Sequence, residues 1–133
     1  MNTEIAISKD NLKAVADILN KLLSDEYVLY TKTRNAHWNV EGINFIELHK
    51  FFQSQYEEID EIIDNTAERI RALGHYSLGS LKDFLELTHI SDENNEFNNE
   101  LEAIFKIYWW MLMTSSTESS SGFLLMYNFM EIQ

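Results

Sequence analysis

The sequence predicts an all-α protein built from long helices. Its 133 residues contain no proline and only 4 glycines, so few positions would interrupt a helix. Apolar residues recur at intervals of three and four over two long stretches, which is typical of helices with one buried face. A chain of this length is expected to form a single domain, residues 1–133, with a modest core.

The first helix is expected over about residues 9–38. Ser8 precedes it and belongs to a residue type that is favoured at the N-cap. The positions that keep a helical period are Leu12, Val15, Ala16, Leu19, Leu22, Leu23, Tyr30 and Thr33. Residues 1–8 form a short N-terminal tail without lysine or arginine.

The central helix is expected over residues 45–73. Asn44 followed by Glu47 is a capping-box pattern, and Gly74 can supply the left-handed residue that commonly ends a helix. The apolar positions between them have helical spacing: Phe45, Leu48, Phe52, Tyr56, Ile59, Ile63, Ala67 and Ile70.

The remaining part of the chain predicts a short helix and then an unusual ending. Ser80 before LKDFLEL predicts a short helix that bridges two long ones, and Ser91 is expected to begin a third long helix. From residue 104 onward apolar residues fall on every side of the expected helix, and a serine-rich stretch then leads into another apolar run. Residues 114–133 are therefore an atypical C-terminal segment. The apolar runs 104–113 and 123–132 are too short to span a membrane.

Composition disfavours several classes of function. The net charge of −12 disfavours nucleic acid and favours cations as ligands. The chain has no cysteine, so neither disulfides nor thiolate chemistry is expected. Neither a glycine-rich phosphate loop nor a nucleophile elbow is found in the sequence. Without a signal peptide or a long apolar run, the expected location is the cytoplasm.

A stripe of possible metal ligands is the main candidate for function. His37 ends the first helix, and the central helix carries His49, Asp64 and Glu68. At about 100° per residue, four polar side chains of the central helix fall within about 60° of one another: His49, Gln53, Asp60 and Asp64. A charged stripe is also typical of a solvated helix face, so spacing alone leaves both interpretations open.

One chain cannot bring these donors to a single metal ion. His49 lies about 22 Å from Asp64 and about 28 Å from Glu68 along a helix that rises ~1.5 Å per residue. Two copies of the helix, packed antiparallel about a two-fold axis near Tyr56 and Glu57, place His49 of one copy beside Asp64 of the other. The spacing therefore favours a site shared between two copies.

A longer set of residues at fixed intervals includes this stripe. It consists of HWNV at 37–40, then Gly42, Phe45, Leu48, His49, Phe52, Tyr56, Asp64, Ala67, Glu68 and Arg69. The set resembles the signature of the Dps family, the ferritin-like mini-ferritins named as DNA-binding proteins from starved cells. The resemblance runs from Leu12 to about Leu101. It implies a ferritin-like four-helix bundle with a short helix in the middle connection and an atypical or truncated fourth helix.

The resemblance implies an iron site between subunits. It makes His37 and His49 iron ligands from one subunit, and Asp64 and Glu68 ligands from its two-fold mate. It further implies a homo-oligomer, typically a dodecamer, that acts as a ferroxidase. Such a protein binds and stores iron (Fe²⁺/Fe³⁺) and oxidises Fe(II) with hydrogen peroxide, which protects against oxidative stress. Trp38 matches the family's tryptophan beside the site, where an indole can give up an electron; an aromatic packing anchor is the alternative.

The sequence departs from the family pattern in three places. Gln53 stands where a further carboxylate is usual, so the second iron position is expected to be weaker. The lysine-rich N-terminal tail of some members is absent, so direct DNA binding is not expected. Trp110, Met111 and Leu112 spell the family's usual ending one helix too early, which an internal deletion or an out-of-frame tail would each produce.

These departures keep a second function open. A non-enzymatic helical shell, or a dimeric interaction protein with a vestigial metal site, fits the same residues if the fourth helix is lost. His75 and His89 fall outside the ligand pattern and are expected to be surface residues.

Overall fold

The computed structural model describes residues 7–92, which form three helices and no strand. Helix α1 spans Lys9–Asn39, α2 spans Phe45–Ala72 and α3 spans Leu81–Leu87. The all-α prediction is confirmed, and each long helix begins at the expected residue and ends within one residue of the expected end. The third long helix expected from Ser91 and the atypical segment 114–133 lie outside the described residues. None of the helices in residues 7–92 combines the length and the hydrophobicity that a membrane span requires.

The helix ends follow the sequence signals with one exception. The Ser8 hydroxyl accepts a hydrogen bond from the backbone N–H of Asn11 at 3.3 Å, and Ser80 does the same for Asp83 at 3.1 Å. Gly74 adopts the left-handed conformation with φ of 86°. The predicted capping box is wrong. Asn44 is the N-cap residue of α2, but its φ of −95° and ψ of 25° are not extended, so its side chain makes no cap hydrogen bond.

Apolar faces of all three helices meet in two buried clusters. One cluster joins α1 and α2 to the short helix through Leu23, Ile70 and Phe84, and the ring of Tyr27 stacks on that of Phe84 at 4.6 Å. The other joins the middle of α1 to α2 and to the residues after α3: Val28, Leu29, Ile59 and Ile90. Burial of these side chains holds α1 and α2 side by side, and this pairing sets the position of the histidines.

A buried aspartate attaches the end of α3 to α1. The Asp25 carboxylate accepts hydrogen bonds from the Thr88 hydroxyl at 2.7 Å and from the His89 backbone N–H at 2.6 Å. The ring Nδ1 of His89 lies 3.2 Å from the same carboxylate, although its side chain is 67% exposed. The expectation of surface histidines is right for His89, whereas His75 is half-buried.

Candidate metal centre

The reversal between α1 and α2 brings two histidines into contact. His37 lies in the last turn of α1, and His49 lies near the start of α2. Their rings stack with centroids 3.7 Å apart and planes inclined by 22°. His37 is buried and His49 is half-buried. The two predicted imidazole ligands therefore form one compact pair.

Each histidine of this pair is hydrogen-bonded to the backbone of the other. His37 Nδ1 lies 2.7 Å from the carbonyl oxygen of His49, and His49 Nδ1 lies 2.8 Å from the carbonyl oxygen of His37. A carbonyl oxygen can only accept, so both Nδ1 atoms carry the proton in these contacts. In the neutral imidazole the Nε2 lone pair then remains for a ligand. Metal-binding histidines are commonly oriented in this way, with the other ring nitrogen donating to a backbone carbonyl.

Aromatic rings surround the histidine pair. The ring edge of Tyr56 contacts His37, with centroids 5.2 Å apart at 74°. The ring of Phe45 stacks on His49 at 5.2 Å. These contacts restrict rotation of both imidazoles, so each ring is held in one orientation.

A cation lies beside this aromatic shell. The Arg34 guanidinium is 4.5 Å from the ring centroid of Tyr56 and 5.3 Å from that of Trp38. It also donates a hydrogen bond to the Tyr30 hydroxyl oxygen at 2.6 Å. That hydrogen bond is the largest of the effects that raise the pKa of Arg34, and the charge of Asp60 adds to it. Arg34 thus stays charged and connects Trp38 to the shell of His37.

Gln53 lies one turn after His49 and has a fixed partner. Its amide Nε2 donates to Glu57 Oε1 at 2.9 Å. Because the amide nitrogen donates to Glu57, the amide oxygen of Gln53 remains available to accept a hydrogen bond or to bind a cation.

The predicted carboxylate ligands lie away from the histidines. Asp64 and Glu68 are both exposed, beyond the middle of α2. Within residues 7–92, no three side chains of histidine, cysteine, aspartate or glutamate are grouped so that they could hold one metal ion. One chain thus pairs His37 with His49 but does not bring the carboxylates to them. Trp38 is 63% exposed in the single chain.

Sequence reasoning missed two residues of this region. The signal for Arg34 is the four-residue spacing of Tyr30, Arg34 and Trp38 on one side of α1. The signal for Glu57 is that it follows Gln53 by four residues, the spacing at which helical side chains meet.

The helices and the histidine pair define a ferritin-like protein, and the model of the ferritin-like domain family matches residues 16–108. A curated relative, DNA protection during starvation protein 2 of Bacillus anthracis, is 39% identical over 103 residues, which is 76% of this chain and 70% of that protein. The structure of Mycobacterium smegmatis Dps is similar as well: the superposition covers 98% of this chain and 87% of that protein's chain, with a TM-score of 0.78 and 27% sequence identity. The chain belongs to the Dps family of ferritin-like proteins.

Not every relative has an assigned role. An uncharacterized low temperature-induced protein of Nostoc is 39% identical over 88 residues, which is 66% of this chain and 49% of that protein. The chain therefore spans about half the length of this relative. Iron binding, storage and protection are properties of the Dps family.

Proposed function

We propose that this chain is a ferroxidase that binds Fe(II) between two copies of itself and stores the oxidised iron. The observation that carries the proposal is the pair His37 and His49, because the Nδ1 atom of each ring is bonded to the backbone of the other residue. Two neutral Nε2 donors, supplemented by carboxylates, suit iron in both of its oxidation states.

A second copy supplies the carboxylates in this proposal. With α2 of the two copies antiparallel about an axis near Tyr56 and Glu57, Asp64 and Glu68 of one copy reach the histidine pair of the other. Each dimer then holds two equivalent sites. The exposure of both carboxylates in the single chain supports this arrangement, because they are available to a partner.

Hydrogen peroxide is the oxidant in the proposed reaction. Two Fe(II) ions each give up one electron, and hydrogen peroxide takes both electrons and two protons to form two molecules of water. A two-electron reduction of peroxide avoids the one-electron reaction that releases hydroxyl radical. The imidazoles of His37 and His49 bind the substrate iron, and the carboxylates of Asp64 and Glu68 balance its charge, with Glu68 placed to bridge two ions. Trp38 supplies an oxidisable indole close by.

The rest of the chain favours a cationic substrate. The net charge of −12 raises the local concentration of cations at the surface of the protein. A closed shell of about 12 subunits, as the family resemblance implies, would separate the stored iron from the solution.

Site variants test this proposal directly. His49→Ala and Asp64→Ala each remove one proposed ligand, and each should slow peroxide-driven Fe(II) oxidation by roughly a hundredfold. Glu58→Ala is the matched control, because Glu58 is exposed on the opposite side of α2 from His49. Stopped-flow absorbance of the Fe(III) product gives the rates. A double variant His49→Ala, Asp64→Ala that oxidises Fe(II) as fast as the unaltered protein would refute the proposal.

A further inference from the structure

Glu57 lies on α2 and is not one of the proposed metal ligands. It lies two turns after His49 and one turn after Gln53, so the three side chains follow one side of the helix. Its Oε1 atom accepts the hydrogen bond from Gln53 Nε2 at 2.9 Å. Both residues are within reach of a second copy packed about the proposed axis.

The orientation of the Gln53 amide decides whether this residue can act as a ligand. The amide oxygen can coordinate a cation, whereas the NH₂ group cannot and would point its positive end at the metal. An exposed glutamine without a fixed partner can present either end. A charged acceptor that binds the nitrogen selects the orientation with the oxygen free.

We propose that Glu57 is a positioning residue that holds Gln53 by its amide nitrogen, so that the amide oxygen serves as a neutral ligand of the second metal position. The inference rests on the proposed function and adds a residue to it. Glu57 acts on Gln53 as the His37 and His49 carbonyl oxygens act on the two imidazoles. In all three cases the hydrogen-bearing nitrogen is bound within the chain, and the acceptor atom remains for the metal.

Three variants separate a hydrogen-bond role from a charge role. Glu57→Leu removes both the acceptor and the charge. Glu57→Gln removes the charge but keeps an amide oxygen that can accept from Gln53 Nε2. Glu58→Leu removes an equal charge from the opposite side of α2, where no contact with Gln53 is possible.

Titration of the full-length protein with Zn²⁺, a redox-inert probe, measures both metal positions by calorimetry. Glu57→Leu should weaken the second position roughly tenfold and leave the first unchanged. Glu57→Gln should stay within about threefold of the unaltered protein, and Glu58→Leu should have no effect. Equal weakening by Glu57→Leu and Glu57→Gln, or by Glu57→Leu and Glu58→Leu, would overturn the inference, because the effect would then be one of charge alone.

A double variant and a ligand variant complete the test. In the background Gln53→Asp, which has no amide to orient, Glu57→Leu should no longer weaken the second position. A persisting tenfold loss there would also overturn the role of Glu57.

Asp64→Ala reports on the proposed function separately, because it should abolish the first position. If Zn²⁺ binding survives Asp64→Ala unchanged, the shared site and the role of Glu57 both fail. If Asp64→Ala abolishes binding but Glu57→Leu has no effect, only the role of Glu57 fails.

Discussion

At the scale of single residues, the proposed metal site depends on where the two histidine rings hold their protons. The two backbone hydrogen bonds of His37 and His49 hold the proton on each Nδ1, so in the neutral imidazole the Nε2 atom keeps the lone pair that a metal requires. The same residue types on a solvated helix face would sample both tautomers. The proposed role as metal donors therefore relies on this contact geometry, which two ordinary surface histidines would lack.

Gln53→Asp should strengthen the second iron position. Replacing the neutral amide by a carboxylate adds one negative charge close to a divalent ion, which is worth a few kcal/mol at an effective dielectric constant of ~20. We expect tighter binding by about tenfold or more and faster peroxide-driven oxidation. Anomalous scattering from metal-soaked crystals measures the occupancies. In the unaltered protein at modest metal concentration, one position per site should be filled; equal filling of both would contradict the limiting role of Gln53.

Glu26 should make the stability of the protein depend on pH. It is buried between α1 and α2, where Thr66 donates a hydrogen bond to Oε1 at 3.2 Å. Burial, supplemented by the charge of Asp25, raises the pKa of Glu26 from 4.5 to about 7, although the bond from Thr66 opposes this. The folded state therefore holds a proton that the unfolded state releases. Its contribution to stability is complete below pH ~4.5 and is lost as the pH rises to ~7, by up to about 3 kcal/mol.

Glu26→Gln tests this dependence. The amide keeps an acceptor for Thr66 but cannot ionise, so the free energy of unfolding should change less between about pH 5 and about pH 8. Urea unfolding at both pH values provides the measurement, and Glu61→Gln on an exposed part of α2 is the control. A variant with the same pH dependence as the unaltered protein would show that Glu26 is not the responsible group.

At the scale of elements, the connection between α2 and α3 offers a matched pair of glycine substitutions. Gly74 has φ of 86°, which an L side chain rarely adopts, whereas Gly79 has an ordinary conformation, and both have open space around them. Gly74→Ala should therefore lower the stability by about 1 kcal/mol, while Gly79→Ala should be neutral or slightly stabilising. Thermal unfolding compares the two variants. Equal effects would mean that the left-handed conformation of Gly74 is not required.

The helices were predictable from the sequence because periodicity and terminal signals are local. Ser8, Ser80 and Gly74 end or begin helices as their residue types indicate. The capping box predicted at Asn44 was wrong because a capping box requires an extended backbone at the N-cap residue. The tight reversal after α1 does not provide that conformation. The mutual hydrogen bonds of His37 and His49 could not be predicted, since they depend on how two helices pack across that reversal.

At the scale of the whole molecule, the assembly state distinguishes the two functions that the sequence left open. An iron-storing shell should elute from sizing chromatography with light scattering as a particle of about 12 subunits that retains iron after aerobic loading. A dimer that binds metal without retaining a mineral would instead support a non-enzymatic interaction protein with a vestigial site.

Charge predicts weak interaction with DNA. The net charge of −12 opposes phosphate contacts, and the first eight residues contain no lysine or arginine. We expect no retention of duplex DNA in a gel-shift assay at ~150 mM salt, about physiological ionic strength. Retention at that salt concentration would contradict this prediction.

The central claim is that each metal site is shared between two copies, and subunit mixing tests it most directly. A mixed dimer of His49→Ala with Asp64→Ala has one site in which both proposed ligands are missing and one in which both are intact. If the site is shared, the isolated mixed dimer should recover about half of the unaltered Fe(II) oxidation rate, although each variant alone should be slowed by roughly a hundredfold. A mixed dimer of His37→Ala with His49→Ala is the control, because both of its sites lack a histidine. A His49→Ala and Asp64→Ala mixed dimer as inactive as this control would contradict the shared site.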